Sequence, residues 1–298
     1  MTPFIEPFYD PRDMCICVPA NTPMQEVLDT AAADNLTYPL VYDPALTVLE
    51  TIQRFPFSSE SFSVGPQADN ILGLNIVLDG QRLKVGGRTV KNCTGFDLVR
   101  FICNSTTQIT EVSDVVLRLR PRKDQTRWVH CGGDTDPLMA FRSELLLSPW
   151  SYEFAALDMS MDQNGLSLTL GYHFMNDQET LYADYLKQAA SQFNLTIEAI
   201  DTPLRTPGAP IHYKTTMSDL IPRAQTWIAE HGGSASGFCG NGYGLYTPES
   251  DSFPAATEHA ALSELGGHLR TPDFTPKPSP VFERLAQQLS TQLSKAGA

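Results

Sequence analysis

The chain has 298 residues, enough for two modest domains each with its own core, and its 42% hydrophobic and 18% charged content is ordinary for a globular protein. A formal net charge of -13 argues against nucleic acid as a partner, since phosphate binding needs a basic face. No apolar run approaches the roughly 20 residues of a membrane helix, and the N-terminus from Met1 to Pro7 carries no basic segment of the kind that opens a secretory signal. A cytoplasmic protein is therefore expected.

Residues 13–19 read as a short strand. Thr22-Pro23 then opens a helix, with Thr22 as N-cap and Pro23 at the first helical position, where a missing N–H costs nothing. Met24, Val27, Leu28 and Ala31 form one apolar stripe, and the helix ends near Asp34-Asn35. Tyr38 to Val41 is extended, and residues 55–61 read as an irregular loop punctuated by proline and serine. Strands at 70–78 and 82–85, a helix at about 96–103 and a strand at 114–120 complete the first domain.

The polar run Pro121 to Gln125 makes the boundary, giving domains of 1–123 and 124–298. Beyond it the pattern predicts helices at about 137–146, 177–193, 216–230 and 254–265. Strands are expected at about 152–158 and 166–173, with a glycine-softened strand from Gly237 to Tyr246. Residues 272–280 read as a Pro/Thr/Ser-rich loop before a terminal helix from Ser279. No internal repeat is visible. The fold class is α+β.

Chemistry-bearing residues are sparse. Cys15, Cys17, Cys93, Cys103, Cys131 and Cys239 include no Cys-x-x-Cys pair and read as free, buried or half-buried thiols. His130, His173, His212, His231, His259 and His268 are scattered with no metal-ligand spacing, so no metal is expected and no catalytic residue is assigned. The glycines at 237, 240, 242 and 244 mimic a dinucleotide loop, but they lie within a strand pattern with no helix directly after it.

The most distinctive segment runs from Gly86 to Leu98, GGRTVKNCTGFDL, after Asn70 to Leu78 and an Asp79-Gly80 turn, and before the strand Val115 to Pro121. That order resembles the second half of the FAD domain in the FAD-linked oxidases, of vanillyl-alcohol-oxidase or PCMH type, and is most similar to the glycolate oxidase and D-lactate dehydrogenase flavoprotein subunits. The resemblance implies a partial PCMH-type FAD-binding domain, its second subdomain, followed by a ferredoxin-like cap domain with antiparallel sheet and helices. It places Lys91, Asn92, Gly95 and Asp97 beside the flavin, with Phe96 where the family has tyrosine, and adds Ser105 and Thr110 as cofactor contacts if FAD is bound. Read from the residues alone, Asn92, Thr94 and Asp97 cap the following helix, and Gly95 serves close packing.

Departures from the family pattern are concentrated where backbone approaches cofactor. A Gly-Ser-Glu-Gly-Thr-Leu-Gly-like segment reads Asn104 to Thr110 here, without its glycines. A Thr-Leu-Gly-Gly turn reads Thr47-Val48-Leu49-Glu50, and Val18 to Thr22 has lost a glycine as well. The family's glycine-rich phosphate loop precedes the region matched, and only about a dozen residues stand before Asp13. These losses lead to the expectation of a degenerate homologue with no cofactor, a scaffold or interaction subunit whose partner is an active FAD-linked oxidase subunit or an iron–sulfur subunit. The alternative is an FAD-binding subunit of a glycolate or D-lactate oxidoreductase. A small-molecule module in a former flavin cleft is a third reading.

Overall fold

A computed structural model describes residues 5–41, 43–54, 57–58, 60–78, 81–87, 98–103, 111–123, 126–174, 178–201, 211–237, 242–249 and 253–271, with isolated positions near the C-terminus. The chain divides into two compact units, Met1–Arg122 with Lys277–Ala298, and Lys123–Pro276. The terminal helix expected from Ser279 lies almost wholly outside the described residues.

Unit 1 is built on a five-stranded antiparallel sheet. Its strands are β1 (Phe8–Asp10), β2 (Cys15–Pro19), β4 (Ile71–Leu78), β5 (Gln81–Gly86) and β6 (Glu111–Arg118), in the order β1-β2-β6-β4-β5. A small second ladder pairs β3 (Leu36–Thr37) with β7 (Arg120–Pro121). Helix α1 (Met24–Ala32) buries Met24, Val27 and Ala31, the stripe its 3.6-residue period marks out. Pro23, not Thr22, is its N-cap, one residue later than the sequence pattern suggests. With α1 on the core lie α2 (Val48–Arg54), α3 (Ser61–Val64) and α4 (Leu98–Cys103). Ile16, Leu74, Ile76, Val115 and Leu117 meet them from the sheet. The other sheet face carries a smaller cluster of Cys15, Cys17, Leu72 and Val116 under Ile5 and Phe8.

Within β4 a polar residue fastens that second face. Asn75 is 1% exposed; its amide oxygen accepts the Ile5 N–H at 3.2 Å, and its amide nitrogen donates to Ile5 O at 2.7 Å and to Asp114 Oδ2 at 3.1 Å. The side chain thereby pairs with Ile5 as a neighbouring strand would, which is how a buried amide avoids the cost of unmet hydrogen bonds. Gly86 has a structural reason of its own. At φ +74 a Cβ would lie 2.4 Å from Leu72 O, so the tight β4–β5 crossing admits glycine there.

Unit 2 holds an eight-stranded antiparallel sheet and corrects the sequence reading most. Its first half is β8 (Thr126–Gly133), α5 (Thr135–Leu147), β9 (Phe154–Asp162), β10 (Gly165–His173), α6 (Glu179–Ser191) and β11 (Glu198–Ile200). Its second half is β12 (Ile211–Lys214), α7 (Met217–His231), β13 (Ser234–Gly237), β14 (Tyr243–Thr247), α8 (Ala255–Glu264) and β15 (His268–Arg270). Each half is β-α-β-β-α-β. The sheet order β11-β8-β10-β9-β13-β14-β12-β15 makes each a ferredoxin-like arrangement, the second running in reverse of the first. They join where β9 and β13 pair, with Ser160 opposite Ser236.

So an internal repeat exists where none was visible. Strands β8, β11, β12 and β15 were not anticipated, and the single strand expected from Gly237 to Tyr246 is the end of β13 and most of β14, with residues 238–241 outside the described set. The structural correspondence can be followed residue by residue. Val129, Leu138 and Leu145 of the first half stand where Ile211, Leu220 and Trp227 stand in the second, and all six are buried.

Alternation along the strands gives the sheet two unlike faces. One carries Leu168, Leu170, Tyr172, Met159, Tyr213 and Tyr246 and receives the helices: Tyr172 stacks on Tyr182 of α6 at 5.9 Å, and Tyr213 meets Trp227 of α7 edge-on at 4.8 Å. The Tyr246 hydroxyl donates to Gly232 O at 2.7 Å and to Trp227 O at 3.1 Å, and burial pushes its pKa up from 10.0 to about 12. Because the folded pKa is the higher, the unfolded chain loses this proton first. Stability that is complete below pH 10.0 should therefore fall as pH rises toward about 12. Urea midpoints measured across that window should drop less for Tyr246→Phe than for the unaltered chain; equal drops would remove this phenol as a cause.

Candidate functional site

The cofactor residues suggested by resemblance, Lys91, Asn92, Gly95, Asp97, Ser105 and Thr110, all lie outside the described residues. The departures at Thr47 to Glu50 do not. Glu50 is in the first turn of α2, and its carboxylate Oε2 accepts the Thr47 N–H at 3.0 Å and the Thr47 hydroxyl at 2.9 Å. The Glu50 N–H in turn donates to Thr47 Oγ1 at 3.2 Å. This is a reciprocal capping box, in which threonine and glutamate satisfy the donors at the helix start.

The rest of the turn is equally closed. Leu46 N–H donates to Asp43 O, Val48 N–H to Thr22 O, Leu49 N–H to Ala20 O and Thr51 N–H to Thr47 O. Every backbone N–H from Leu46 to Thr51 therefore has an acceptor inside the protein. Leu49 packs against the unit 1 core and Val48 is wholly buried. A helix start can bind a phosphate when its N–H groups and positive dipole end face outward. Here a carboxylate already occupies that position, and a second anion beside it would be repelled. The residues of this turn do not fit a diphosphate.

In unit 2 the sheet face opposite the helices carries small polar side chains. His130 Nδ1 and Thr169 Oγ1 lie 3.3 Å apart, and Ser160 and Ser167 share a hydrogen bond of 2.8 Å. Asp158 accepts the Gly237 N–H at 2.8 Å, bridging the two halves. Ser236 and His212 lie on the same face, buried to 3% and 8% exposure. His130 and His212 occupy matching positions in the two halves, each at the same spacing before the N-caps Asp134 and Thr216 of the helices that follow. Sequence reading treated these histidines as scattered; the matched spacing to the next helix was the signal that pairs them. With five strand-to-strand steps between β8 and β12, at about 4.8 Å each, the two rings are too far apart to share a ligand. The hydroxyls and imidazoles form a polar floor without a nucleophile–base–acid series. Among the described residues no three His, Cys, Asp or Glu side chains converge as a metal site.

No family model matches the chain. Over 125 residues it is 32% identical to uncharacterized FAD-linked oxidoreductases of Mycobacterium tuberculosis, from strains CDC 1551 / Oshkosh and H37Rv. Those matches cover 41% of this chain and 27% of each relative, so the chain spans about a quarter of the length of the curated relatives it matches. Among solved structures, an alkyldihydroxyacetonephosphate synthase superposes with a TM-score of 0.63 at 11% identity, covering 96% of this chain and 63% of that one. The fold is that of the FAD-linked oxidases. Neither comparison singles out the glycolate oxidase subunit among them. No helix among the described residues is long and apolar enough to cross a membrane.

Proposed function

We propose that this chain is a flavin-free relative of the FAD-linked oxidases, acting as a scaffold or interaction subunit beside an active oxidase subunit or an iron–sulfur subunit. The observation that carries this reading is the closed turn at Leu46 to Thr51, where each N–H is taken and the Glu50 carboxylate sits at the helix start. Apolar packing tolerates loss of a cofactor far better than a cofactor site tolerates loss of its glycines. The core of unit 1 is intact around that turn.

A second reading is favoured by the 32% identity to FAD-linked oxidoreductases over 125 residues. In it the chain is the FAD-binding subunit of a 2-hydroxy-acid oxidoreductase, with glycolate or D-lactate as substrate, and Lys91, Asn92, Gly95, Asp97, Ser105 and Thr110 contact the cofactor. The flavin would supply hydride acceptance, and the protein would orient substrate against it.

One experiment separates them. The purified protein should show no visible flavin absorbance and release no FAD on denaturation, and added FAD should keep its free fluorescence through a titration. A yellow preparation, or saturable quenching of FAD, would overturn the first reading in favour of the second.

A further inference from the structure

Helices α5 and α6 pack side by side and antiparallel on the first half of unit 2. Phe141, midway along α5, meets Phe193 just past the end of α6 at 6.2 Å. Trp150, just past the end of α5, meets Tyr182 in the first turn of α6 at 4.7 Å and Tyr185 at 6.4 Å. At the Trp150 end of this seam two leucines stand in solvent. Leu147, the last residue of α5, is 85% exposed, and Leu181 of α6 is 60% exposed, the two most exposed large apolar side chains among the described residues. Leu181 and Tyr185 are four residues apart and share a helix face, so Leu181 stands on the side of α6 that Trp150 touches. Bare aliphatic side chains beside a half-buried tryptophan have the composition of an interface anchor.

The rim of this seam is acidic. Glu144 lies one helical turn before Leu147, Asp184 one turn after Leu181, and Glu153 three residues past Trp150. None of these three carboxylates forms an ion pair with a described residue. The cations on the same elements are paired or turned away: Arg127 is bound to Glu179 at 2.6 Å, and Arg142 is buried. Lys187, two residues on from Tyr185, projects from the opposite face of α6. A second copy of the chain docked here by a two-fold contact would bring these carboxylates against their own equivalents, with a net charge of -13 on each chain. A basic partner meets no such repulsion. The shape suits a helix, because the seam between two packed helices is a groove that accepts the ridge of a third.

We infer that the α5–α6 seam at Leu147, Trp150 and Leu181 is the docking site for a basic amphipathic helix of a protein partner. The apolar stripe of that helix covers those three residues, and its lysines or arginines face Glu144, Glu153 and Asp184. The surface gives the interaction-subunit reading a partner chemistry and rests on that reading for its purpose. The flavin titration tests that reading and peptide binding tests this surface, so either can fail alone.

The probe is a fluorescein-labelled helical peptide of about four turns, with leucine at i, i+3, i+4 and i+7 spacing and lysine elsewhere. Its anisotropy is followed as the full chain is added at about 0.15 M salt. The peptide should bind one to one with a Kd of about 10 μM. The same peptide with glutamate in place of lysine, and one with its leucines scattered around the helix, should each bind at least about tenfold more weakly. Leu147→Gln with Leu181→Gln leaves the charge unchanged and should weaken the lysine peptide about tenfold, whereas Leu265→Gln, at another exposed leucine, should not. Glu144→Lys with Asp184→Lys should weaken the lysine peptide about tenfold and strengthen the glutamate peptide. Each of these side chains is exposed, and circular dichroism reads the fold of every variant. A lysine peptide that does not saturate, equal binding of the scattered peptide, or unchanged affinity in the Leu147→Gln, Leu181→Gln variant would overturn the inference. So would micromolar self-association of the chain that this variant abolishes, which would give the surface to a second copy.

Discussion

Trp227→Ala should cost about 4 kcal/mol of unfolding free energy, read from urea denaturation followed by circular dichroism. Trp227 is 1% exposed and stands at the centre of an aromatic group, with Tyr213 at 4.8 Å, Phe253 at 5.2 Å and Tyr246 at 5.3 Å. Truncation would leave a void among three rings that are themselves held. It would also remove the indole N–H that donates to Glu258 Oε2 at 2.8 Å, leaving that carboxylate with Arg223 Nη1 at 3.5 Å. Cavity and lost hydrogen bond act in the same direction, which places the expected cost in the upper part of the range for large-to-small core changes. Leu147→Ala serves as the control. At 85% exposure its change should stay within about 0.5 kcal/mol. A cost below about 1.5 kcal/mol for Trp227→Ala would mean that the second half of unit 2 is held together elsewhere.

The position of Trp227 also shows why the repeat was hidden in the sequence. It is the counterpart of Leu145, and Tyr213 is the counterpart of Cys131, so the two halves fill equivalent places with side chains of very different volume. What they share is burial and spacing to the next helix, and neither is an identity. Strand β8 escaped for a related reason: only Val129 and Cys131 of its eight residues are buried, and Trp128 and His130 blur the alternation that marks a half-buried strand. Helix α1, by contrast, was legible because its stripe of Met24, Val27 and Ala31 is both apolar and periodic.

Thr47 and Glu50 carry a different lesson. The pair has the spacing of a capping box, the mark of a helix start, and the sequence reading passed over it; the structure has α2 (Val48–Arg54) beginning there. Compared with a glycine-bearing family turn, the same residues read only as a loss. The structure gives them a positive role, and that role closes the turn to an external anion. Gly86 makes the complementary point, since the first glycine of the most distinctive segment is explained by its crossing with Leu72 and needs no cofactor.

Gly244→Ala should destabilise the protein by about 3 kcal/mol, a large effect for the addition of one methyl group. Gly244 faces Tyr213 across the β12–β14 pair, and a Cβ there would lie 2.4 Å from the ring's Cζ. Tyr213 is fully buried and has Trp227 behind it, so the ring cannot swing aside without disturbing the same aromatic group. The first half of the unit repeats the device on its other face, where a Cβ on Gly171 would meet the Trp128 ring at 2.7 Å. In both places a bare backbone lets a large ring from the neighbouring strand lie flat on the sheet. A double-mutant cycle isolates the cause. With Tyr213→Leu in place the ring is gone, and adding Gly244→Ala should then cost less than about 1 kcal/mol, a coupling near 2 kcal/mol. If Gly244→Ala costs the same in both backgrounds, the penalty belongs to the backbone at Gly244 and not to the ring that lies across it.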